Sequence, residues 1–407
     1  MAHLLGIRIR NCKSLQDVTL GQVGYGQGEP LPRLSCFIGP NGCGKSSLLD
    51  AFGFLADCLG EGVEAACDKP QRGGFGRLRT QGISDPLRFH LYYRETSKAR
   101  PVTYDFAVGE LDGVPVVLNE QLLQRRKGEK RGRPFPFLRL KLGEGFVWAG
   151  ERTEDEEGAT KQEIKLEDVD RLGITTLGQL SDHPRIAGLR AYIESWYLSY
   201  FVPDAARRLL RSGAQKHLDR TGENLGNVVQ YLERNHKARF AGIIERIRKR
   251  IPGIEKIETE TSPDKRLLLK FNERGYEDPF FQHSMSDGTL KMFAYLLLLE
   301  DPEPPAFIGI EEPENGLYHR LVEQLAREFS SHAEESKGKM QVLITTHSPQ
   351  FVDALRPEQV WLMQKDETGF TRVQRTADMQ TIKELHGEGI PLGSLWYSNH
   401  LDERFPS

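Results

Sequence analysis

The sequence predicts an α/β fold, split in sequence, with an inserted α+β lobe. Three observations predict it. A short apolar run at 34–38 leads into a glycine-rich loop and then into an amphipathic helix. The last third of the chain alternates helices with apolar strands, and the stretch between carries consecutive strands of period two. Alternating strands and helices build parallel sheets, whereas consecutive short strands build antiparallel ones.

The elements follow in order. Residues 4–9 and 18–20 alternate as strands, and 34–38 is a buried-type strand ended by Gly39. A helix over 46–59 places Leu48, Leu49, Phe52 and Leu55 on one face. From 86 to 148 the pattern is a meander: Leu87/Phe89/Leu91/Tyr93, Val102/Tyr104/Phe106/Val108, Val114/Val116/Leu118, Leu138/Leu140/Leu142 and Phe146/Trp148 alternate between polar neighbours. Helices are expected near 184–194, 223–234 and 237–250, the last stopped by Pro252-Gly253. Residues 196–201 read as a core strand, and a hairpin follows at 254–272. The final third gives a helix at 289–300, a strand at 306–310, a helix at 318–336, a strand at 341–346 and a helix from Pro349. Strands 360–364 and 371–375 then pair around Glu367-Thr368-Gly369. The expected organisation is therefore 1–95 and 271–407 as two parts of one head, with 96–270 inserted as a β-meander and helical lobe.

Composition limits the function. With 407 residues the chain suits two or three domains, or one large domain with an insertion. Hydrophobic residues at 38% and charged residues at 28% exclude a disordered chain. A net charge of −3 argues against coating nucleic acid or membrane by bulk electrostatics. No run approaches the ~18 apolar residues of a membrane span, and the N-terminus has no signal-peptide core. The 5 cysteines lie early in the chain without a CxxC pair, so a reduced, cytoplasmic protein is expected.

Gly39-Pro40-Asn41-Gly42-Cys43-Gly44-Lys45-Ser46 fits G-x-x-x-x-G-K-[ST] between a strand and a helix. Its glycines let successive backbone N–H groups point inward at phosphate oxygens, at a helix N-terminus that favours an anion. Lys45 would reach the β- and γ-phosphates of ATP, and Ser46, followed by Ser47, would place its hydroxyl on Mg²⁺. This is the pattern of a nucleoside-triphosphate site.

The strand at 306–310 ends in Glu311-Glu312-Pro313-Glu314-Asn315-Gly316. Paired carboxylates at a strand's C-terminal end suit a metal and a water. Glu311 would hold Mg²⁺, directly or through its water shell, and Glu312 would deprotonate the attacking water. Two further stretches matter. Ser284-Met285-Ser286-Asp287-Gly288-Thr289-Leu290 opens an apolar helix, with Ser286 and Asp287 both suited to cap it. Val342-Leu343-Ile344-Thr345-Thr346-His347-Ser348-Pro349 ends a strand on a histidine.

These motifs, GPNGCGKSS, SMSDGTLK, IGIEEPENGL and ITTHSPQF together with the N-terminal IRIRNCKSL, resemble in order the RecF-like and OLD-like branch of ABC ATPases, related to SMC heads. The resemblance covers roughly residues 1–95 and 270–365. It implies ATP and Mg²⁺ as cofactors and a head-to-tail homodimer with ATP between the phosphate loop of one subunit and the signature of the other. Ser286 and Gly288 would then contact the γ-phosphate in trans. Glu314 and Asn315 match the D-loop that crosses the interface, and His347 would contact the γ-phosphate or the water. Gln81 is the candidate Q-loop glutamine, a nucleotide and metal contact. Two positions depart from the family pattern: Glu311 stands where most heads have aspartate, and Asp287 stands where glycine is usual. Slow hydrolysis is expected from both. The insertion lacks the heptads of an SMC arm, and the last 60 residues lack an OLD-type nuclease constellation.

Residues 124–141 hold eight bases and one acid, net +7, and 151–170 hold nine acids and three bases, net −6. The first, with Phe135 and Phe137, is a candidate DNA-contacting loop, or else a solvated hairpin paired with the acidic stretch. Arg246, Arg248, Lys249 and Arg250 form a second basic cluster. The reading is an ATP-hydrolysing head acting on DNA in repair or recombination. The alternative is a nucleotide-gated regulator of a separate effector, a nuclease or toxin, in phage defence. No membrane partner is expected.

Overall fold

A computed structural model describes residues 2–125, 134–149, 160–251, 253–335 and 340–401. The chain forms two compact units, Met1–Trp196 with Trp361–Thr376, and Tyr197–Val360 with Ala377–Ser407.

The first unit is built on an antiparallel sheet. Its strands are β1 (His3–Cys12), β2 (Leu15–Gly21), β4 (Leu87–Arg94), β5 (Val102–Leu111), β6 (Val114–Gln124), β7 (Phe135–Lys141), β8 (Glu144–Ala149) and β9 (Thr160–Lys165), with β3 (Leu34–Ile38) standing outside it. The order is β2-β1-β4-β5-β6-β7-β8-β9. Period-two alternation sends one set of side chains inward. Ile7, Ile9, Phe89, Leu91, Tyr104, Phe106 and Leu122 are fully buried on that face. Phe54 from helix α1 (Lys45–Glu61) lies 5.9 Å from Phe89, which stacks at 5.1 Å on Phe106. The meander strands pair directly onto β4, Leu87 opposite Val108 and Tyr93 opposite Val102, so the sheet runs through residue 95 without a break. The strand pattern of each segment was legible, but a period-two strand does not name its neighbour. The β9 strand, in the acidic stretch, lacks an apolar alternation and was not expected.

In the same unit β3 is buried along its whole length and lies beside Val360–Lys365, which pairs antiparallel with Thr371–Arg375. This hairpin stands where the sequence predicted it.

The second unit carries helices Leu225–Asn235 and Lys237–Arg250, then the hairpin Ile254–Thr261 with Leu267–Glu273. The helix Asp287–Leu299 follows, buried at every position from Thr289 onward. Strands Phe307–Glu311 and Gln341–Thr345 pair in parallel, Glu311 opposite Thr345, with helix His319–Glu335 crossing between them in sequence. The stretch 196–201 is a strand only over Trp196–Ser199, and Tyr200 is exposed. Among the described residues no helix is long and apolar enough to cross a membrane.

Candidate functional site: two half-sites for a nucleotide

The phosphate loop folds as the sequence predicts and belongs to the first unit. The chain leaves β3 at Gly39 and enters α1 at Lys45, with Gly42 and Gly44 at φ 75° and 111°, left-handed values that suit glycine. A Cβ on Gly44 would stand 2.4 Å from Thr371 Oγ1, and one on Gly39 would stand 2.1 Å from the Met363 carbonyl. Close backbone approach therefore fixes both glycines. Asn41, Gly42 and Ser46 are exposed, Ser47 is half-buried, and Cys43 and Lys45 are buried. Lys45 Nζ donates to the carbonyls of Gly39 at 2.9 Å and Pro40 at 3.1 Å. The ammonium thus neutralises part of the loop's own oxygen set until a phosphate offers a better acceptor. Burial pushes the Cys43 thiol above its usual range, despite Lys45 nearby. That makes it an inert packing group rather than a reactive thiolate.

Sequence reasoning missed the brace behind this loop. Thr371 Oγ1 lies 2.7 Å from the Cys43 carbonyl and 2.9 Å from Ser14 Oγ, and the Thr371 amide donates to the Ser14 carbonyl at 2.9 Å. Thr371 is buried. The only signal in the sequence was the strand pattern of 371–375, which says nothing of docking. Gln81 lies exposed in the turn after Arg79, whose backbone bridges Cys12. The hydroxyl of its neighbour Thr80 donates to the Lys13 carbonyl at 2.8 Å, one residue before Ser14.

The second unit gathers the acidic strand end, the histidine and the signature. Glu311 ends its strand, and the Glu312 amide continues the ladder to the Thr345 carbonyl at 2.9 Å. Glu312 itself has φ 43°, a left-handed backbone uncommon for a side chain of this kind. Such conformations cost about 1–3 kcal/mol and cluster at functional sites. Its carboxylate is held from two sides: His347 Nε2 stands 3.2 Å from Oε1, and Asn315 Nδ2 donates to Oε2 at 2.7 Å. The resemblance implies that Asn315 reaches across a dimer interface. In this chain its amide is engaged with Glu312 of the same subunit.

Glu314 ties the two strand ends together. Its Oε1 accepts from the His347 amide and from Thr346 Oγ1, each at 2.7 Å, while Oε2 is buried without a hydrogen-bond partner among the described residues. Burial raises its pKa, opposed by those two donors. Lys291, also buried, sits in the field of Glu314, Asp287 and Glu312, and burial lowers its pKa against their pull. Neither role was read from the sequence.

In the signature, Ser286 caps the helix by accepting from the Thr289 amide at 3.2 Å. Asp287 is therefore the first helical residue rather than the cap. Its charge is answered by Arg207, whose Nη2 lies 2.5 Å from Oδ1 and 2.8 Å from the Met285 carbonyl. A Cβ on Gly288 would come within 3.1 Å of the Gly316 carbonyl, so the signature and the D-loop turn lie back to back.

Among the described residues no three His, Cys, Asp or Glu side chains converge to hold a metal. A Mg²⁺ carried by ATP needs no such cage, because phosphate oxygens and water fill most of its shell and one hydroxyl or carboxylate suffices from the protein. Ser46 and Glu311 have that chemistry, the first exposed and the second half-buried.

The candidate DNA-contacting charges fare differently. Residues 126–133, the middle of the basic run, and 150–159 of the acidic one lie outside the described residues. The second cluster is answered locally. Arg246 stands 2.7 Å from Glu300, Arg250 2.7 Å from Glu328, and Arg248 and Lys249 each 3.7 Å from Glu245.

Comparison with known proteins places this geometry. The model of the family described as "AAA domain, putative AbiEii toxin, Type IV TA system" matches residues 34–353. No curated protein matches the chain. Among solved structures, an Smc head bound to the C-winged helix domain of ScpA is 13% identical with a TM-score of 0.52, covering 91% of this chain and 97% of its own. The Smc head with an extended coiled coil from Pyrococcus furiosus, bound to the C-terminal domain of ScpA, is 12% identical with a TM-score of 0.50, covering 96% and 100%. At such identity the likeness is one of fold, and it bears out the expected α/β fold of an ABC-type head, which these Smc heads share.

Proposed function

The chain belongs to the AAA_21 family of AAA domains, and from that premise we propose that it binds ATP with Mg²⁺ and hydrolyses it. The observation that carries the reading is the Glu312 carboxylate, set at a strand end on a left-handed backbone between His347 and Asn315. A base for hydrolysis must be an oriented carboxylate beside a group that senses the γ-phosphate, and this pair has that form. The phosphate loop would supply inward amides and Lys45 would answer the β- and γ-phosphates; Ser46 and Glu311 each have the chemistry to hold a metal. Gln81 completes the metal and nucleotide contacts from its exposed turn. Mg²⁺ neutralises charge that develops on the phosphates.

The chain acts as a head-to-tail homodimer formed on ATP binding, with Ser286 and Gly288 reading the partner's γ-phosphate. Asn315 leaves Glu312 for the interface as the dimer closes. The sequence lobes group as 1–95 with 271–407, and 96–270 as the part that meets the target. That target is DNA, in repair or recombination, within the cytoplasm.

A second reading has its own support. The family description names a toxin and a toxin–antitoxin system, which favours a nucleotide-gated regulator of a separate effector in phage defence. DNA-stimulated hydrolysis with salt-sensitive binding selects the first role. A co-purifying effector and indifference to DNA select the second. The ATPase itself is tested by Glu312→Gln, which should bind ATP and accumulate as a dimer without turnover. Wild-type turnover in that variant would place the base elsewhere.

A further inference from the structure

The outward face of the large antiparallel sheet bears an unusual arrangement. Alternation turns Arg8 and Arg10 of β1, Arg88 and His90 of β4, and Asp105 of β5 to the side opposite the aromatic core. Arg10 stands directly opposite Arg88 in the register. Like charges placed so across strands are destabilising. Among the described residues two carboxylates offset them. Asp17 takes Arg8 at 2.6 Å and Arg10 at 3.3 Å, and Asp105 takes Arg88 at 3.4 Å with His90 at 3.2 Å. The Nε atoms of Arg10 and Arg88 that make these two pairs are buried, and the pairs are long, without hydrogen-bond geometry.

A cavity of about 660 Å³ opens over this face. Among the described residues five arginines line it, Arg100 and Arg125 joining Arg8, Arg10 and Arg88, against one lining carboxylate, that of Asp105. Tyr25, Tyr92 and Leu123 add an aromatic and apolar part to a wall that also carries Gln27, Thr103 and Gln124. Tyr25 is 57% exposed, and the Arg125 guanidinium lies 4.7 Å from its ring centroid. None of the lining residues belongs to the phosphate loop.

The geometry points to a second ligand site here, for a nucleotide unit: a phosphate group held by Arg10 and Arg88, and a base stacked on Tyr25. Several guanidinium groups converging on a concave site, with fewer carboxylates than arginines beside them, are the chemistry that recognises a phosphate. An exposed aromatic ring beside them offers a stacking platform for any base. The volume falls within the range of small-molecule pockets. The same chemistry serves a free nucleotide or the terminal nucleotide of a single strand. The inference is independent of the ATPase reading, because it uses none of that site's residues.

The test uses full-length Lys45→Ala protein, in which the phosphate loop is silenced. AMP is titrated by calorimetry, a labelled 5′-phosphorylated single-stranded oligonucleotide by fluorescence anisotropy, and inorganic phosphate serves as comparison. Saturable AMP binding identifies a free nucleotide as ligand, and binding of the oligonucleotide alone identifies a strand end. In either case Arg10→Gln and Arg88→Gln should each weaken binding about tenfold, and Tyr25→Ala several-fold. Tyr25 lies outside the core, so its variant reads the site even where an arginine variant folds poorly. Failure of all three probes to bind would overturn the site. Binding that survives the arginine and tyrosine substitutions would overturn it as well. Inorganic phosphate binding as tightly as AMP would overturn its assignment to a nucleotide.

Discussion

Arg207 holds the carboxylate of Asp287 at 2.5 Å, across 80 residues of sequence, at the first turn of the signature helix. The acid that departs from the family pattern is thereby turned into half of an ion pair. Removing the partner exposes the charge to any phosphate that the helix N-terminus meets. With Asp287 53% exposed, solvent screens it, and the cost is about 1 kcal/mol, or roughly fivefold. Arg207→Ala should weaken ATP-driven dimerisation by that factor in analytical ultracentrifugation, and adding Asp287→Gly should restore it. No recovery in the double variant would show that Arg207 acts elsewhere.

His347 and Glu312 should separate in kinetics. Glu312→Gln removes the proposed base, and a loss of roughly 10²–10⁴-fold in kcat is expected with ATP affinity retained. His347→Ala leaves the base but frees its Oε1, so kcat should fall less, with the nucleotide dissociation constant little changed. Equal losses for the two variants would assign the water-activating role to the pair as a unit.

Lys45→Ala should abolish ATP binding if, as proposed, the ammonium that now serves the Gly39 and Pro40 carbonyls is the group that answers the phosphates. Unchanged affinity in equilibrium dialysis would refute the phosphate-loop assignment.

Thr371→Val keeps the shape of the brace and removes its hydroxyl. The Cys43 carbonyl loses a buried hydrogen bond and Ser14 Oγ a part-buried one, at about 1–2 kcal/mol in total. The melting temperature should drop by a few degrees, and ATP affinity should fall although the residue lies outside the loop. A variant that melts lower but binds ATP normally would confine Thr371 to stability.

Glu120 predicts a pH dependence. It is fully buried, and burial pushes its pKa up to about 7 from a usual 4.5, against donors from the Gly173 and Ile174 amides and the Tyr104 hydroxyl. Between those values the folded state binds more protons than the unfolded one, so stability falls as pH rises. It is fully present below about 4.5 and lost through about 7, on the order of 3 kcal/mol at most. Thermal melts from pH 5 to pH 8 should show this slope in the wild type and a flatter curve in Glu120→Gln. Matching slopes would rule the residue out.

The legible parts of this molecule are those whose chemistry is local in sequence. The phosphate loop needs eight consecutive residues, and its strand and helix flank it directly. Glu312 and His347 each end a buried strand that any apolar run reveals. Arg207, Lys291 and Thr371 were not legible, because each acts on a residue that only tertiary folding brings near. The Ser286 and Asp287 pair shows the intermediate case. Both suit a cap, and only the side-chain partners decide between them.

Thr371 and Ser14 meet across 357 residues of chain. A nascent polypeptide therefore carries its complete phosphate loop long before the hydroxyl that braces it has been synthesised. Such long-range closures come late in folding, after their entropic cost has been met by other contacts. A chain that stops short of residue 371 therefore carries the motif without its hydroxyl brace.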